Sequence, residues 1–261
     1  MSYRRIFSVV NEHTTSTVVA RHAILLAAAC KAELVLYAAP AGSESGALTK
    51  SHQEHLALVA SKLDVPVTLI TDDGNMSVLL PRRVRAEQAD LVFYPLTPYK
   101  RYGTDPQRHA VHTLLRTVSS DLAIMRVVRM AKPHPGQILL PLGMITSDGE
   151  RRLMFVTALA TCCHSKVTLF HVPKKRDSDG TPATLSLFRQ QLQLHDVGVS
   201  LRSGRGDVGR AITLEAVTRN YDLIVLGVSR RGVLRKLFFG NPAGDVMNQP
   251  PCNSILFRSA L

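Results

Sequence analysis

Short apolar runs alternate along this chain with longer segments in which apolar residues recur every three or four positions. The first pattern predicts buried strands and the second predicts amphipathic helices. In the second half, the predicted strands span 137–142, 166–172, 199–202, 222–226 and 253–257. The predicted helices there span 148–165, 181–196 and 208–220, with a last helix beginning near Asn241. Strands joined by helices favour a parallel sheet covered by helices, so this half is predicted to be a doubly wound, five-stranded α/β domain.

The same order of elements occurs twice, at a constant spacing of 132 residues, so that Asp90 returns as Asp222. Solenoid repeats run about 20–50 residues, so a period this long indicates a duplicated domain. We predict one domain over 1–131 and a second over 132–261, related by a pseudo-twofold axis and joined by a proline-containing linker. Features that both copies keep are expected to be scaffold. Features that only one copy keeps are candidates for function.

Composition is that of a soluble globular protein, and no apolar run approaches the roughly 18 residues that a membrane helix needs. The four cysteines show no spacing typical of a disulfide framework or a zinc site, so the cytoplasm is the expected location. Cys162, Cys163 and His164 are consecutive, and consecutive helical side chains point in different directions, so they cannot ligate one metal together. We interpret the two cysteines as buried and structural, with Cys162 at the position of Cys30 in the first copy.

The net charge of +12 is the unusual feature of the composition. Residues 132–261 carry 17 basic and 9 acidic side chains, a net of +8, against 15 and 11, a net of +4, for residues 1–131. Such a field attracts anions, whether nucleotide phosphates, nucleic acid or lipid headgroups. A solvated basic surface stays open as the alternative.

The segment 227–242 follows a predicted buried strand and opens a predicted helix. Gly240 allows a ligand to approach the backbone closely, and Asn241 suits the N-cap position. Unpaired N–H groups at a helix N-terminus, together with the positive end of the helix dipole, favour an anion there. The segment adds the positive charges of Arg230, Arg231 and Arg235. It is therefore a candidate phosphate cradle, and a capped helix beside a solvated basic face is the alternative.

The stretch 221–258 resembles the C-terminal signature of the universal stress proteins. That signature is Gly-x2-Gly-x9-Gly-(Ser/Thr) after an apolar strand, followed by a helix and a strand that begins with Pro-Cys. Gly227 and Gly240 occupy the first and third glycine positions, and the segment from Pro251 to Arg258 is similar to the closing strand. The chain looks like a tandem two-domain member of that family. The resemblance implies Rossmann-like domains of the adenine nucleotide alpha hydrolase type.

The match departs from the family pattern at four positions. Arg230 stands at the second glycine of the signature, and Asn241 stands at the Ser/Thr. Gly143 and Asn11 stand where ATP-binding members carry an Asp at the end of the first strand. The resemblance therefore implies an anionic ligand, ATP or another adenine nucleotide, held without that carboxylate.

We expect the ligand at the carboxyl edge of the second domain's sheet, where the strand order reverses. The predicted contact residues are Gly143, Val172, Gly206, Gly227, Arg230, Arg231, Gly232, Arg235, Gly240 and Asn241. The arginines would contact phosphates, the glycines and Asn241 would shape the cradle, and Val172 would offer backbone groups to a base. In the first domain, Pro95 and His109 take the positions of Gly227 and Asn241, so that domain is expected to bind no ligand.

The sequence carries no Gly-x-Ser-x-Gly elbow, Walker lysine motif or His-Glu-x-x-His motif. We therefore predict a non-catalytic, cytoplasmic stress-response regulator without a metal site, which binds an anionic small molecule. One alternative is a ligand-free scaffold acting through protein contacts, with a second copy of the chain or a membrane transporter as its partner. The other is nucleic-acid binding through the basic second half, which is disfavoured because no aromatic residues are interleaved with the arginines.

Overall fold

A computed structural model describes residues 3–40, 42–96, 106–130, 134–143, 149–173, 183–228, 246–247 and 249–260. The chain forms two compact units, the first comprising Met1–Pro133 with Arg258–Leu261 and the second comprising His134–Phe257. Each unit holds five strands. Helices lie between all successive strands of the first unit and between the first four strands of the second, whose last connection lies largely outside the described residues. This arrangement confirms the predicted tandem of doubly wound α/β domains.

The first unit contains β1 (Arg5–Val9), α1 (Thr14–Cys30), β2 (Glu33–Ala38), α2 (Ser43–Ser61), β3 (Val67–Thr71), α3 (Met76–Ala86), β4 (Leu91–Leu96), α4 (Pro106–Thr117) and β5 (Asp121–Arg126). The strand order is β3-β2-β1-β4-β5, and all neighbouring strands are parallel. The order reverses at β1, so β1 and β4 flank the switch point of this sheet.

The second unit contains β6 (Gln137–Pro141), α5 (Gly149–Cys162), β7 (Lys166–His171), α6 (Ala183–Leu194), β8 (Val199–Ser203), α7 (Val208–Thr218), β9 (Leu223–Gly227) and β10 (Asn253–Arg258). Its strand order is β8-β7-β6-β9-β10, again with parallel neighbours, so β6 and β9 flank the switch point. The predicted elements of this half form with ends within three residues of the expected ones. The predicted start of the last helix at Asn241 lies outside the described residues.

The central strands are buried because they are apolar on both faces, as parallel strands covered by helices must be. β4 reads Leu-Val-Phe-Tyr-Pro-Leu and β9 reads Leu-Ile-Val-Leu-Gly. The edge strands β3 and β8 are largely exposed and contain polar residues. In the second unit, the ring of Phe155 on α5 stacks on that of Phe257 on β10 with 4.6 Å between centroids. Within the described ranges, no helix is both long and apolar enough to cross a lipid bilayer.

Asp90 and Asp222 account for the clearest identity between the two copies. Oδ2 of Asp90 accepts from the backbone N–H groups of residues 4 and 5, at 2.7 and 3.0 Å. Oδ2 of Asp222 accepts from the backbone N–H groups of residues 136 and 137, at 2.9 and 3.0 Å. Each carboxylate thus ties the start of one central strand to the start of its neighbour. This shared feature is scaffold, and it lies at the amino edge of each sheet.

Left-handed residues near helix ends also repeat between the units. Asp64 and Gln88 of the first unit recur 132 residues later as Asp196 and Asn220, all with φ between 51 and 58°. Lys31, directly after α1, corresponds to His164, which is 133 residues later. The second copy therefore carries one additional residue before this point. The structure corrects the expected alignment here: Cys163, and not Cys162, is the counterpart of Cys30.

Candidate functional site

The carboxyl ends of four parallel strands define one edge of the second unit's sheet. β6 ends at Pro141, β7 at His171, β8 at Ser203 and β9 at Gly227. The strand order reverses between β6 and β9, and doubly wound sheets bind their ligands beyond the strand ends at such a point. We call this region the carboxyl edge of the second unit.

Four predicted contact residues follow these strand ends. Gly143 lies two residues after β6 and is exposed, and a Cβ added there would meet none of the described residues within 4 Å. Val172 follows β7 and is buried. Gly206 lies between β8 and α7 at φ +81°, a conformation that favours glycine. Gly227 ends β9, so the topology places all four residues at the same edge.

The other six predicted contact residues lie outside the described residues, and their role stays a prediction from the sequence. They are Arg230, Arg231, Gly232, Arg235, Gly240 and Asn241.

Gly227 is in contact with an arginine that the sequence analysis did not single out. A Cβ at Gly227 would lie 2.8 Å from Cζ of Arg152 and would overlap the guanidinium, so any side chain there would displace the guanidinium from this position. Arg152 lies in the first turn of α5, directly beyond the β6 loop. The corresponding positions of α1, Val19 and Ala20, are apolar and fully buried. A comparison of the two copies at this helix would have singled out Arg152, because only the second copy has a charged residue there.

Phe188 on α6 also contacts this arginine. Cζ of Arg152 lies 5.9 Å from the centroid of the Phe188 ring, within the range of a cation–π interaction. Phe188 is fully buried, so its ring is a fixed surface for the guanidinium. Gly227 and Phe188 together therefore hold a permanent positive charge at the switch point. A planar guanidinium is well suited to bind phosphate oxygens.

His171 joins the ends of two neighbouring strands at the same edge. Its Nδ1 lies 3.1 Å from the carbonyl oxygen of Leu142. Because a carbonyl only accepts, Nδ1 carries the proton in this hydrogen bond. The imidazole is half-buried and sits where β6 and β7 both end. It thereby fixes the chain as it enters the β6 loop.

The turn between β8 and α7 is packed too closely for a side chain. A Cβ at Gly204 would lie 2.5 Å from Cζ of Phe170 and 3.1 Å from Cβ of Ala211. Three residues later, Oδ1 of Asp207 accepts from the N–H of Arg210 at 2.9 Å and caps α7. Asp207 is therefore the N-cap residue of α7. Its carboxylate therefore serves the helix.

The carboxyl edge of the first unit is occupied by hydrogen bonds within the chain. Oδ1 of Asn11 accepts from the N–H of His13 at 3.0 Å, and the Asn11 carbonyl accepts from Oγ of Ser16 at 3.1 Å. The same carbonyl accepts from Nδ1 of His52 at 2.9 Å. Asn11 stands where ATP-binding universal stress proteins carry an Asp. Its hydrogen bonds shape the turn into α1. Pro95 lies inside β4.

An ionic cluster closes the β2–β3 side of the same edge. The Asp72 carboxylate accepts from Nε and Nη2 of Arg83 at 2.7 and 2.6 Å, and from the Tyr37 hydroxyl at 3.0 Å. The Arg83 guanidinium, with the Tyr37 hydrogen bond, lowers the pKa of Asp72. Burial, with the neighbouring carboxylate, raises the pKa of Tyr37. In the second unit, Phe170 and Gly204 stand at the places of Tyr37 and Asp72.

Among the described residues, no group of three or more His, Cys, Asp or Glu side chains could hold a metal ion. Cys162 and Cys163 were interpreted from the sequence as buried. The structure leaves both half-buried, because α5 ends there and the chain turns away from the core.

Two doubly wound parallel-sheet units in tandem place this chain in the Rossmann-like class of α/β proteins. Residues 146–258 match the model of the universal stress protein family. The match covers most of the second unit and agrees with the resemblance found in its C-terminal signature. No curated protein matches the chain.

Solved structures align with almost the whole chain. A universal stress protein from Archaeoglobus fulgidus DSM 4304 has a TM-score of 0.70 at 12% identity, covering 98% of this chain and 96% of that chain. A functionally unknown protein from Pseudomonas aeruginosa PAO1 has a TM-score of 0.65 at 16% identity, covering 98% and 93%. The cytoplasmic domain of a prokaryotic cation chloride cotransporter has a TM-score of 0.64 at 11% identity, covering 99% and 96%. At these identities the likeness shows the fold, here over both units.

Proposed function

We propose that this protein is a non-catalytic, cytoplasmic regulator of a stress response, whose second unit binds an adenine nucleotide such as ATP. The observation that carries the proposal is the Arg152 guanidinium resting against Gly227 at the switch point of the second unit. The match of residues 146–258 to the universal stress protein family supports it.

The chemistry of the edge supports an anionic ligand in particular. At the end of β6, no described residue lies within 4 Å of a Cβ placed on Gly143, and Gly227 leaves the end of β9 without a side chain. Arg152 adds a charge that charge-assisted hydrogen bonds to phosphate can use. The second half of the chain has a net charge of +8, which raises the local concentration of anions. Arg230, Arg231 and Arg235 are proposed as further phosphate contacts.

Blocking the crevice tests this proposal most directly. Gly143→Leu should weaken ATP binding to the full-length chain about tenfold or more in calorimetric titration, a loss of about 1.4 kcal/mol or more. The fold should tolerate the change because Gly143 is exposed and no described residue lies within 4 Å of a Cβ placed there. Gly198→Leu is the matched control, since Gly198 is also exposed but precedes β8 at the opposite edge. Equal ATP affinity in the wild type and both variants would contradict the proposed site.

The arginines of the 227–242 segment provide an independent test. Arg230→Ala combined with Arg235→Ala should remove about 2–5 kcal/mol from ATP affinity, because charge-assisted hydrogen bonds contribute about 1.5–3 kcal/mol each. Circular dichroism should show an unchanged fold. Undiminished ATP binding by the double variant would remove these two arginines from the site.

Two other functions give different results in the same experiments. A ligand-free scaffold, for instance one acting on a membrane transporter, would bind no nucleotide, and the fold shared with a cotransporter's cytoplasmic domain makes this the main rival. A nucleic-acid binder would lose affinity steeply with added salt, in proportion to the number of phosphates it contacts. Nucleic-acid binding with a steep salt slope and no ATP binding would reject the proposed function.

A further inference from the structure

Two adjacent thiols lie at the end of α5, away from the carboxyl edge. Cys162 is the last residue of α5, and Cys163 lies in the turn that leads to β7. Their Sγ atoms are 3.6 Å apart, which is van der Waals contact between two sulfur atoms. Both residues are half-buried, so the pair is open to small solutes. The fold thus holds two sulfur atoms together at a partly exposed position.

We propose that Cys162 and Cys163 form an oxidative modification site, at which a hydroperoxide converts the two thiols into a disulfide. In the first step, with hydrogen peroxide as the hydroperoxide, the Cys163 thiolate attacks one peroxide oxygen, an S–O bond forms, the O–O bond breaks, and the leaving hydroxide takes up the proton that Cys163 released on ionising, which gives water. In the second step, the Cys162 sulfur attacks the Cys163 sulfenic acid, and the hydroxyl group leaves with the Cys162 proton as water. Two thiols and hydrogen peroxide give one disulfide and two molecules of water.

The local hydrogen bonds support this division of roles. The hydrogen bond from Cys162 lowers the pKa of the Cys163 thiol, although burial opposes this effect. The Cys162 S–H has a second acceptor, the carbonyl oxygen of Leu159 at 3.2 Å, and donates to one of the two at a time, so it can turn to the Cys163 sulfur when that thiol ionises. A thiolate that is partly exposed and sits beside a second thiol has the properties of a redox-sensing cysteine. Cys163 is therefore the reacting thiol and Cys162 the resolving one.

The neighbouring positions also make the product easy to reverse. Adjacent Cα atoms are about 3.8 Å apart across a trans peptide, below the roughly 4.4–6.8 Å of ordinary disulfides. A disulfide between neighbours is therefore strained, and strained disulfides are more readily reduced. Such a bond suits a transient modification rather than a structural cross-link.

The first unit provides an internal comparison. Cys30 ends α1 directly before the left-handed Lys31, as Cys163 directly precedes the left-handed His164. Ala29 stands where the second unit has Cys162. Burial raises the pKa of the Cys30 thiol. The same helix end thus occurs once with a single thiol and once with a pair, and only the pair can form the disulfide.

The test oxidises the reduced full-length chain with hydrogen peroxide and measures the peptide 153–166, which trypsin releases with both cysteines. At a dose that converts about half of the pair, this peptide should lose two hydrogen atoms, while less than about a tenth of Cys30 is oxidised. Glutathione should restore the thiols. Cys162→Ala, which reproduces Ala29, should leave a sulfenic acid on Cys163 that dimedone captures.

Three outcomes would overturn the proposal. The first is a peptide that gains oxygen on both sulfurs without losing two hydrogen atoms. The second is equal oxidation of Cys30 and the pair. The third is an equal rate of disulfide formation when the chain is unfolded in guanidinium chloride, because the folded geometry would then contribute nothing. Cys30→Ala serves as the control and should leave the chemistry of the 153–166 peptide unchanged.

Discussion

The carboxyl edges of the two units use the same topology for different purposes. In the first unit, Asn11 bonds to the turn into α1, and Asp72 holds Arg83 in a close ion pair. In the second unit, no described residue lies within 4 Å of a Cβ placed on Gly143, and Gly227 is in contact with the guanidinium of Arg152. Among the described residues, the first edge holds the Asp72–Arg83 ion pair, whereas the second places the guanidinium of Arg152 beside a glycine at a strand end.

The amino edges show the opposite relation. Asp90 and Asp222 make the same pair of hydrogen bonds to backbone N–H groups in both units. After a duplication, the interactions that hold the central strands together are needed in each copy. The strand ends, by contrast, can change in one copy while the other keeps the binding chemistry. Comparing the two copies within this one chain therefore separates the scaffold residues from the candidate site residues.

The largest effect is expected at the shared amino edge. Asp222→Ala and Asp90→Ala should each lower the free energy of unfolding of the full-length chain by about 2–4 kcal/mol, because each leaves two N–H groups without their charged acceptor. Urea unfolding followed by circular dichroism measures this loss. Asp73→Ala, at an exposed position, is the control and should change little. A loss in only one of the two aspartate variants would mean that the copies do not share this scaffold.

A smaller effect is expected at position 204 of the β8–α7 turn, where the first unit has Asp72 in place of glycine. Gly204→Ala should cost about 1–3 kcal/mol of unfolding free energy, because the new methyl group would lie 2.5 Å from Phe170 and overpack a fully buried ring. Gly143→Ala should be nearly neutral, since the new methyl group would meet none of the described residues within 4 Å. Thermal or urea unfolding of both variants checks the contrast. Equal stability of the two would show that the turn can relax around the added methyl group.

The sequence predicted the strands, helices and duplication well because the periodicity of apolar residues records burial directly. It also placed Gly143 and Gly227 correctly at strand ends, since the order of elements determines which loops share an edge. It did not predict Arg152, which is one arginine among many until the packing against Gly227 and Phe188 is known. Nor did it show that Asp72 and Arg83 form an ion pair, because residues on different elements meet only through the tertiary fold.

The smallest effect concerns pH and the ion pair that only the first unit possesses. Arg83, with the Tyr37 hydrogen bond, lowers the pKa of Asp72 below its ordinary value of 3.8. A carboxyl group with a lower pKa in the folded state stabilises the fold above its unfolded-state pKa, and this contribution disappears as the pH falls through the folded-state pKa. Arg83 is partly exposed, so solvent screening keeps the contribution modest. The stability difference between the wild type and Asp72→Asn should therefore be constant near neutral pH and shrink only below about pH 4. Urea unfolding at a series of pH values measures this stability difference.

The control is Tyr37→Phe, which keeps the ion pair and gives this unit the ring found at Phe170. This variant should retain most of the pH dependence. A difference that vanishes near pH 6 instead would assign the effect to another group.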